Sequence, residues 1–232
     1  MKINYLIVLV LSVFVTYSGS SVSLADYVID NFQNTSITAS PDKATVSTST
    51  TGAMLLSRLA SGAEGYEIRF PTTGVAAATA SIEYSFTNGL RSLFPSSLGS
   101  GSIAAPVKFY VPIFLKNVTE GTFTVSVSQF FNSGTETTNV VPTSTSNSMI
   151  EIDTERTLGE LGTDDLSSIR FDFTYSSGNF IGASPQTMIF GGGTGVDPKG
   201  RVGSFTVVPE PTSAAMIGCI LAGFIARRRR KA

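Results

Sequence analysis

The sequence predicts an all-β protein: an antiparallel β-sandwich, jelly-roll-like, with an N-terminal signal peptide and a C-terminal single transmembrane helix. Three observations lead to this prediction. Many short segments alternate apolar and polar residues, which is the pattern of half-buried strands. Clusters of Gly, Ser, Thr, Asn and Pro separate these segments, as turns do. A predominantly apolar run lies near each end of the chain.

The N-terminal run has the features of a signal peptide. Lys2 supplies the positive charge, and residues 5–17 form an apolar core close to the roughly 7–15 residues that such a segment needs. Small residues at Ser23 and Ala25 then predict cleavage by signal peptidase between Ala25 and Asp26. We therefore assign residues 1–25 to the signal peptide and residues 26–207 to an exported domain.

Within the exported domain, the clearest strand is Val107–Leu115, which places alternate apolar residues on one face. Pro112 interrupts it and predicts an edge strand or a bulge, because proline has no N–H for the ladder. Thr122–Ser128 alternates in the same way, and residues 117–121 resemble a turn, so the two segments are predicted to form a hairpin.

Further strands are predicted around Tyr66–Phe70, Ile82–Phe86 and Ile169–Tyr175 by the same alternation. The first strand, residues 27–32, and the last, residues 202–208, are expected to pair, which would bring the two ends of the domain together. Segments rich in Ser, Thr or Gly are interpreted as surface loops; they are residues 45–51, 135–148 and 191–203. Residues 153–166 are predicted to contain a helical turn.

The C-terminal run follows a distinct polar element. Pro209, Glu210 and Pro211 break regular structure and precede 14 residues, 213–226, that are almost wholly apolar. A run this short crosses a bilayer only with help from its flanks. That help comes from an arginine cluster that snorkels to the headgroups and stays in the cytoplasm. Its members are Arg227, Arg228, Arg229 and Arg230.

This tail, residues 208–232, resembles the PEP-CTERM sorting signal of Gram-negative bacteria that make extracellular polysaccharide. The resemblance implies that exosortase, a membrane transpeptidase, recognises Pro209, Glu210 and Pro211 and detaches the protein from its anchor. It also implies transient residence in the inner membrane, followed by delivery to the cell surface or the extracellular space. The few leucines and the final Lys-Ala depart from the family pattern. An ordinary single-helix anchor is the alternative interpretation.

A looser resemblance links the domain to carbohydrate-binding jelly rolls. It covers only the opening segment, residues 27–32, and the segment 169–173. The resemblance implies a structural calcium ion, with Asp30 and Asp172 as candidate ligands, because calcium prefers clustered carboxylate and carbonyl oxygens. The simpler interpretation is that both residues are exposed polar positions of strands. No other cofactor is predicted.

Composition and charge limit the classes of function. The chain has 232 residues and no histidine, which excludes a Ser-His-Asp triad, a Cys-His pair and imidazole zinc sites. Residues 26–208 carry 16 acidic and 10 basic residues, a net charge of −6. An acidic surface repels phosphate backbones, so no nucleic-acid partner is expected.

No catalytic residue is predicted. Paired carboxylates could act as in a glycosidase, but a solvated acidic loop explains the available ones more simply. They are Asp153, Glu155, Glu160, Asp164 and Asp165. The favoured function is a structural or adhesive component of the cell surface or of a biofilm polysaccharide matrix. The alternative is a glycan-binding module that stacks sugars on exposed aromatic rings, with Tyr110, Phe114 and Phe130 as candidates.

Overall fold

The computed structural model describes residues 27–32, 44–52, 54–59, 65–70, 78–95, 106–116, 118, 121–140, 148–176, 186–192 and 203–209. These residues contain twelve β-strands, and all paired strands are antiparallel. The strands are β1 (Tyr27–Asp30), β2 (Thr45–Thr51), β3 (Leu55–Arg58), β4 (Tyr66–Phe70), β5 (Ala78–Ser85), β6 (Pro106–Leu115), β7 (Thr122–Phe131), β8 (Gly134–Val140), β9 (Ser148–Thr157), β10 (Leu166–Ser176), β11 (Gln186–Phe190) and β12 (Phe205–Pro209). The predicted all-β antiparallel class is therefore confirmed.

Two short 3-10 helices interrupt the strands in this part of the chain. One comprises Glu160–Gly162 and confirms the helical turn predicted within residues 153–166. The other comprises Leu90–Leu93, where the sequence analysis predicted none.

The strands form two sheets. The seven-stranded sheet has the order β1-β12-β6-β11-β4-β3, with β9 on the other edge of β6. The five-stranded sheet has the order β2-β5-β10-β7-β8. The predicted pairing of the first and last strands is confirmed, since Tyr27 lies opposite Val207.

One hydrophobic core fills the space between the sheets. Phe171 of the five-stranded sheet contacts Phe190 of the seven-stranded sheet, with ring centroids 4.7 Å apart. Tyr84 and Phe205 meet across the same space at 5.0 Å. Burial of these large rings supplies the main driving force for the packing of the two sheets as a sandwich.

The side chains that alternation assigned to the interior do lie in this core. They are Tyr66, Ile68, Phe70, Ile82, Tyr84, Phe86, Val107, Phe109, Val111, Ile113, Leu115, Phe123, Val125, Val127, Ile169, Phe171, Phe173 and Tyr175. Period-two alternation therefore identified the inward face of these strands correctly.

The predicted hairpin between β6 and β7 is wrong. β6 pairs with β9, β11 and β12, whereas β7 pairs with β8 and β10 in the other sheet. The connection between them therefore crosses from one sheet to the other. Alternation shows which face of a strand is apolar, and it does not show whether two such strands meet edge to edge or across the core.

The prediction that Pro112 marks an edge strand or a bulge is also wrong, because β6 has neighbours on both sides and pairs with β9 in regular register from Lys108 to Ile113. Two strands share one side of β6. β11 pairs with it as far as Phe190, which lies opposite Ile113, and β12 pairs with it from Thr206, which lies opposite Tyr110. Pro112 lies between these two pairs and accepts a hydrogen bond from the Gly191 N–H at 2.7 Å. The N–H and C=O of a strand residue point to the same edge, so the missing donor faces the break between β11 and β12.

Two segments predicted as loops are strands instead. Residues 45–51 form β2, and most of the first half of the 135–148 segment belongs to β8. Both are edge strands, and in β2 the buried apolar set is Val46 alone. An edge strand that buries so little has no apolar alternation to reveal it. Of the third predicted loop, residues 193–202 lie outside the described residues.

Strand β1 is attached to the opposite sheet by a buried carboxylate. Asp30 is 2% exposed, and its oxygens accept hydrogen bonds from the Phe32 N–H at 2.7 Å and the Tyr84 hydroxyl at 3.0 Å. Phe32 has a positive φ of 57° and packs its ring against Gly191, where any Cβ would overlap it. This contact joins the start of the domain to the core.

We expect Tyr84→Phe to lower the free energy of unfolding by about 1–3 kcal/mol, because the buried Asp30 carboxylate loses a donor. Urea denaturation of the wild type and the variant measures the change. Tyr27→Phe is the matched control, since Tyr27 is a half-buried tyrosine of the same strand as Asp30. An equal loss in both variants would contradict a specific role for the Tyr84 hydroxyl.

Candidate functional site

The outer surface of the five-stranded sheet is a regular array of polar side chains, here called the hydroxyl face. Cross-strand pairing arranges its members in four rows that run across the strands. The rows are Thr45, Ser85, Ser168, Phe130 and Thr135; Ser47, Glu83, Arg170, Ser128 and Thr137; Ser49, Ser81, Asp172, Ser126 and Asn139; and Thr51, Thr79, Thr174 and Thr124. Serine and threonine fill every position except Glu83, Arg170, Asp172, Phe130 and Asn139.

The sequence produces this face by strict alternation. In β5, every second residue from Ala78 is buried in the core, and the residues between them are partly exposed. β10 alternates in the same way, with Phe171 and Phe173 inward and Asp172 outward. Because the inward positions of β5 and β10 are apolar and their outward positions are polar, these strands can face the core with one side only.

Four residues near the middle of the hydroxyl face form a connected group, here called the central cluster: Ser81, Phe130, Arg170 and Asp172. Arg170 Nε donates to Asp172 Oδ2 at 2.9 Å, and the Ser81 hydroxyl donates to Asp172 Oδ1 at 2.5 Å. The Arg170 guanidinium lies 5.4 Å from the centre of the Phe130 ring, within cation–π range. The Arg170 side chain is 41% exposed and that of Asp172 is 26% exposed, so the hydrogen-bonded pair is still reachable from solvent.

Of the acidic residues in the 153–165 region, Glu160, Asp164 and Asp165 accept hydrogen bonds from nearby turns and loops, and the Asp153 carboxylate accepts one from the Glu155 N–H at 2.7 Å. Arg156 binds Glu136 at 2.6 Å and Asp164 at 3.0 Å, and its guanidinium stacks on Phe131. Glu160 exchanges hydrogen bonds with Thr157, whose backbone N–H is the main reason that the Glu160 pKa is lowered. These carboxylates hold turns in place at one end of the sandwich.

Asp164 and Asp165 are adjacent in the chain, and their pKa values are shifted in opposite directions. The Ser133 hydroxyl, followed by the Ser133 N–H and Arg156, lowers the pKa of Asp164. Burial raises the pKa of Asp165, although the backbone N–H groups of Arg91 and Leu166 each donate to it at 2.9 Å. Both side chains therefore serve as acceptors for the loops that meet at this end.

The two candidate calcium ligands lie on different sides of the five-stranded sheet. Asp30 is buried against Tyr84 on the inner side, and Asp172 belongs to the central cluster on the outer side. One ion cannot bind both. Among the residues that the structure describes, no group of three or more His, Cys, Asp or Glu side chains is placed to hold a metal. Calcium binding by this chain stays a prediction.

The three aromatic residues predicted to stack on sugars lie on two different sheets. Tyr110 and Phe114 lie on the outer side of the seven-stranded sheet, and Tyr110 is only 4% exposed, so it is not the exposed platform expected from the sequence. Its position on the central strand β6, between Thr206 and Glu151, accounts for part of this burial. Phe130 is the member of the three that belongs to the hydroxyl face.

Most of the residues predicted to direct sorting lie outside the described residues. They are Ala25, Asp26, Glu210, Pro211, Arg227, Arg228, Arg229 and Arg230. Pro209 is the exception, because β12 continues through it and pairs it with Val107. Within the described ranges, no helix has the length and apolar character needed to cross a membrane; the predicted transmembrane helix falls outside them.

No protein-family model matches this chain, and no curated protein does. Among solved structures, it is similar to a family 11 carbohydrate-binding module from Clostridium thermocellum, at 13% identity and a TM-score of 0.41, over 80% of this chain and 96% of that one. An agarase matches at 11% identity and a TM-score of 0.43, over 81% of this chain but 25% of its own. The C-terminal family 22 carbohydrate-binding module of Clostridium thermocellum Xyn10B matches at 13% identity and a TM-score of 0.34. The match covers 82% of this chain and 98% of that one. At these scores, neither ligands nor site residues transfer to this chain.

The opposite pKa shifts of Asp164 and Asp165 predict opposite pH dependences. A lowered pKa adds stability above the unfolded value of about 3.9, and this is lost as the pH falls through the folded value. The stability difference between the wild type and Asp164→Asn should therefore narrow on acidification from about pH 6 to about pH 3. Urea denaturation at several pH values measures it.

Asp165→Asn is the matched control for this pH series. A raised pKa adds stability below the unfolded value that is lost as the pH rises through the folded value. The stability of the wild type relative to Asp165→Asn should therefore increase as the pH falls. If the stability of both variants relative to the wild type changed with pH in the same direction, the contacts described for Asp164 and Asp165 would be contradicted.

Proposed function

We propose that this protein is an exported β-sandwich that binds extracellular polysaccharide through its hydroxyl face. The observation that carries the proposal is the central cluster, in which the partly exposed Arg170–Asp172 pair lies beside the Phe130 ring and is surrounded by hydroxyl groups. The low similarity to carbohydrate-binding modules is consistent with this function and adds no weight to it.

The chemistry of the face suits a sugar. Each Ser or Thr hydroxyl is both a donor and an acceptor, as are the hydroxyl groups of a glycan. Arg170 and Asp172 offer the stronger, charge-assisted hydrogen bonds. Phe130 provides an apolar surface for the C–H groups of a pyranose ring. Because these side chains are short or already paired on a rigid sheet, little conformational freedom is lost on binding.

The charge of the face indicates which glycans bind. Asp172 and Glu83 are acidic and Arg170 is the one cation in the four rows, within a domain of net charge −6. An anionic polymer would be repelled by this balance. The proposed ligand is therefore a neutral polysaccharide.

The terminal signals support the export part of the proposal. A signal peptide at residues 1–25 and a sorting tail at residues 208–232 would deliver the domain to the cell surface or the extracellular matrix, where polysaccharide is present. The second candidate function, a matrix component with a structural role and no defined ligand, is supported by the same tail.

We expect the full chain to bind a neutral polysaccharide, with xylan, β-glucan and galactan as probes, and to bind alginate, an anionic one, far more weakly. Phe130→Ala should weaken binding about tenfold, which corresponds to the loss of one aromatic contact of about 1.4 kcal/mol. Affinity electrophoresis or isothermal titration calorimetry measures the change.

Phe114→Ala is the matched control, because Phe114 is a partly exposed phenylalanine on the outer side of the other sheet. Its binding should equal that of the wild type. If Phe130→Ala binds as the wild type does, or if alginate binds best, the hydroxyl face is not the site. Binding to none of the probes would favour the structural role.

Export is tested separately by intact-mass analysis of the protein recovered from culture medium and from membranes of a host with exosortase. The released form should begin at Asp26 and lack the arginine cluster. Recovery of full-length chains alone, all bound to membranes, would contradict both processing steps.

A further inference from the structure

The last row of the hydroxyl face consists entirely of threonine, and is here called the threonine row. Thr51, Thr79, Thr174 and Thr124 lie side by side on β2, β5, β10 and β7. Neighbouring strands are about 4.8 Å apart, and successive outward residues on one strand are roughly 6.7 Å apart. The row therefore repeats one chemical group at a short, constant interval across four strands.

The side chains of the row are ordered and open to solvent. Thr51 and Thr174 are exposed, and Thr79 and Thr124 are partly exposed. The hydroxyl oxygens of Thr51 and Thr79 are 2.5 Å apart and share a hydrogen bond, which sets both rotamers. Threonine is also stiff at χ1 because it is branched at Cβ, so the hydroxyl and methyl groups keep fixed directions.

The neighbouring row extends the repeat into a second dimension. Ser49, Ser81 and Ser126 lie one step along the same strands as Thr51, Thr79 and Thr124. The result is a grid of hydroxyl groups with two fixed spacings. Its charged residues, Glu83, Arg170 and Asp172, all lie in the two middle rows and leave the threonine row uncharged.

A grid of this kind matches a ligand whose own hydroxyl groups repeat in two dimensions. A single soluble oligosaccharide meets one line of the grid, and the net gain from each neutral hydrogen bond is small. A flat surface of parallel, packed chains meets several rows at once, so many weak contacts add on a surface that is already ordered. The threonine methyl groups add apolar contact at each step.

We propose that the hydroxyl face, and the threonine row in particular, binds the flat surface of an insoluble neutral polysaccharide in which parallel chains are packed side by side. The inference rests on the proposed function and specifies the physical state of its ligand. A protein partner fits this face poorly, because protein interfaces gain most of their energy from several aromatic and arginine side chains, and the face has one of each.

The test compares the full chain on solid and soluble forms of the same polymer: microcrystalline cellulose and cellohexaose, and crystalline chitin and chitohexaose. Binding to the solids is measured by depletion isotherms, and binding to the oligosaccharides by calorimetry. We expect the wild type to bind at least one of the two solids, and to bind that solid at least about tenfold more tightly per site than its own soluble oligomer, since more rows are engaged.

The variant removes two hydroxyl groups from the middle of the row. Thr79→Val with Thr174→Val keeps the side-chain shape and the preference for strands, so the sheet should be retained, and circular dichroism checks this. Binding to the solid should fall about tenfold or more, as expected when several hydrogen bonds are lost. Thr79→Ser with Thr174→Ser is the control, and should stay within about threefold of the wild type because its hydroxyl groups remain.

The outcomes separate this inference from the proposed function. If a soluble glycan binds as tightly as the solid, or if the double valine variant binds the solid like the wild type, the inference is overturned. In either case, binding that depends on Phe130 would leave the proposed function standing. If no polysaccharide binds in any form, both fall together.

Discussion

The structure depends on the aromatic packing between the two sheets. Phe171 contacts Tyr84, Phe190 and Phe205 with ring centroids 4.7 to 6.4 Å apart, which joins two strands of each sheet at one point of the core. Since side chains alternate along a strand, burial of these rings decides which residues point outward. The hydroxyl face exists because its strands bury Phe, Tyr, Ile and Val on the other side. A slip of one residue in any strand would exchange the two sets.

The same alternation explains how much could be predicted. Where a strand carries large apolar residues, as β6, β5 and β10 do, its inward face follows from the sequence alone. The strands that pair with β6 and β7 cannot be predicted in this way, because pairing depends on which apolar faces oppose each other across the core. β2 could not be predicted either, since one valine among six Ser and Thr residues gives no alternation of apolar and polar residues. The Asp30–Tyr84 contact joins residues 54 positions apart, and no local pattern indicates it.

The candidate site, too, could be predicted only in part from the sequence. Phe130, Asp172 and the abundance of hydroxylated residues were visible in the sequence, but their convergence on one face required the register of five strands. Tyr110 illustrates the opposite case, because alternation places it on the outer side of its sheet and it is nevertheless buried there. A residue that points away from the core is therefore a site candidate only where the outer side of its sheet is open.

The first and last strands of the described chain, β1 and β12, lie far from the hydroxyl face. β1 and β12 pair at one edge of the seven-stranded sheet, so Tyr27, where the described chain begins, lies opposite Val207, two residues before Pro209. The hydroxyl face is the outer side of the other sheet, which points away from the seven-stranded sheet across the core. β12 and the hydroxyl face therefore lie on opposite sides of the core, which is compatible with the proposed attachment through the C-terminal tail. In the proposed function, attachment and recognition would therefore use separate sheets, which the aromatic core holds together.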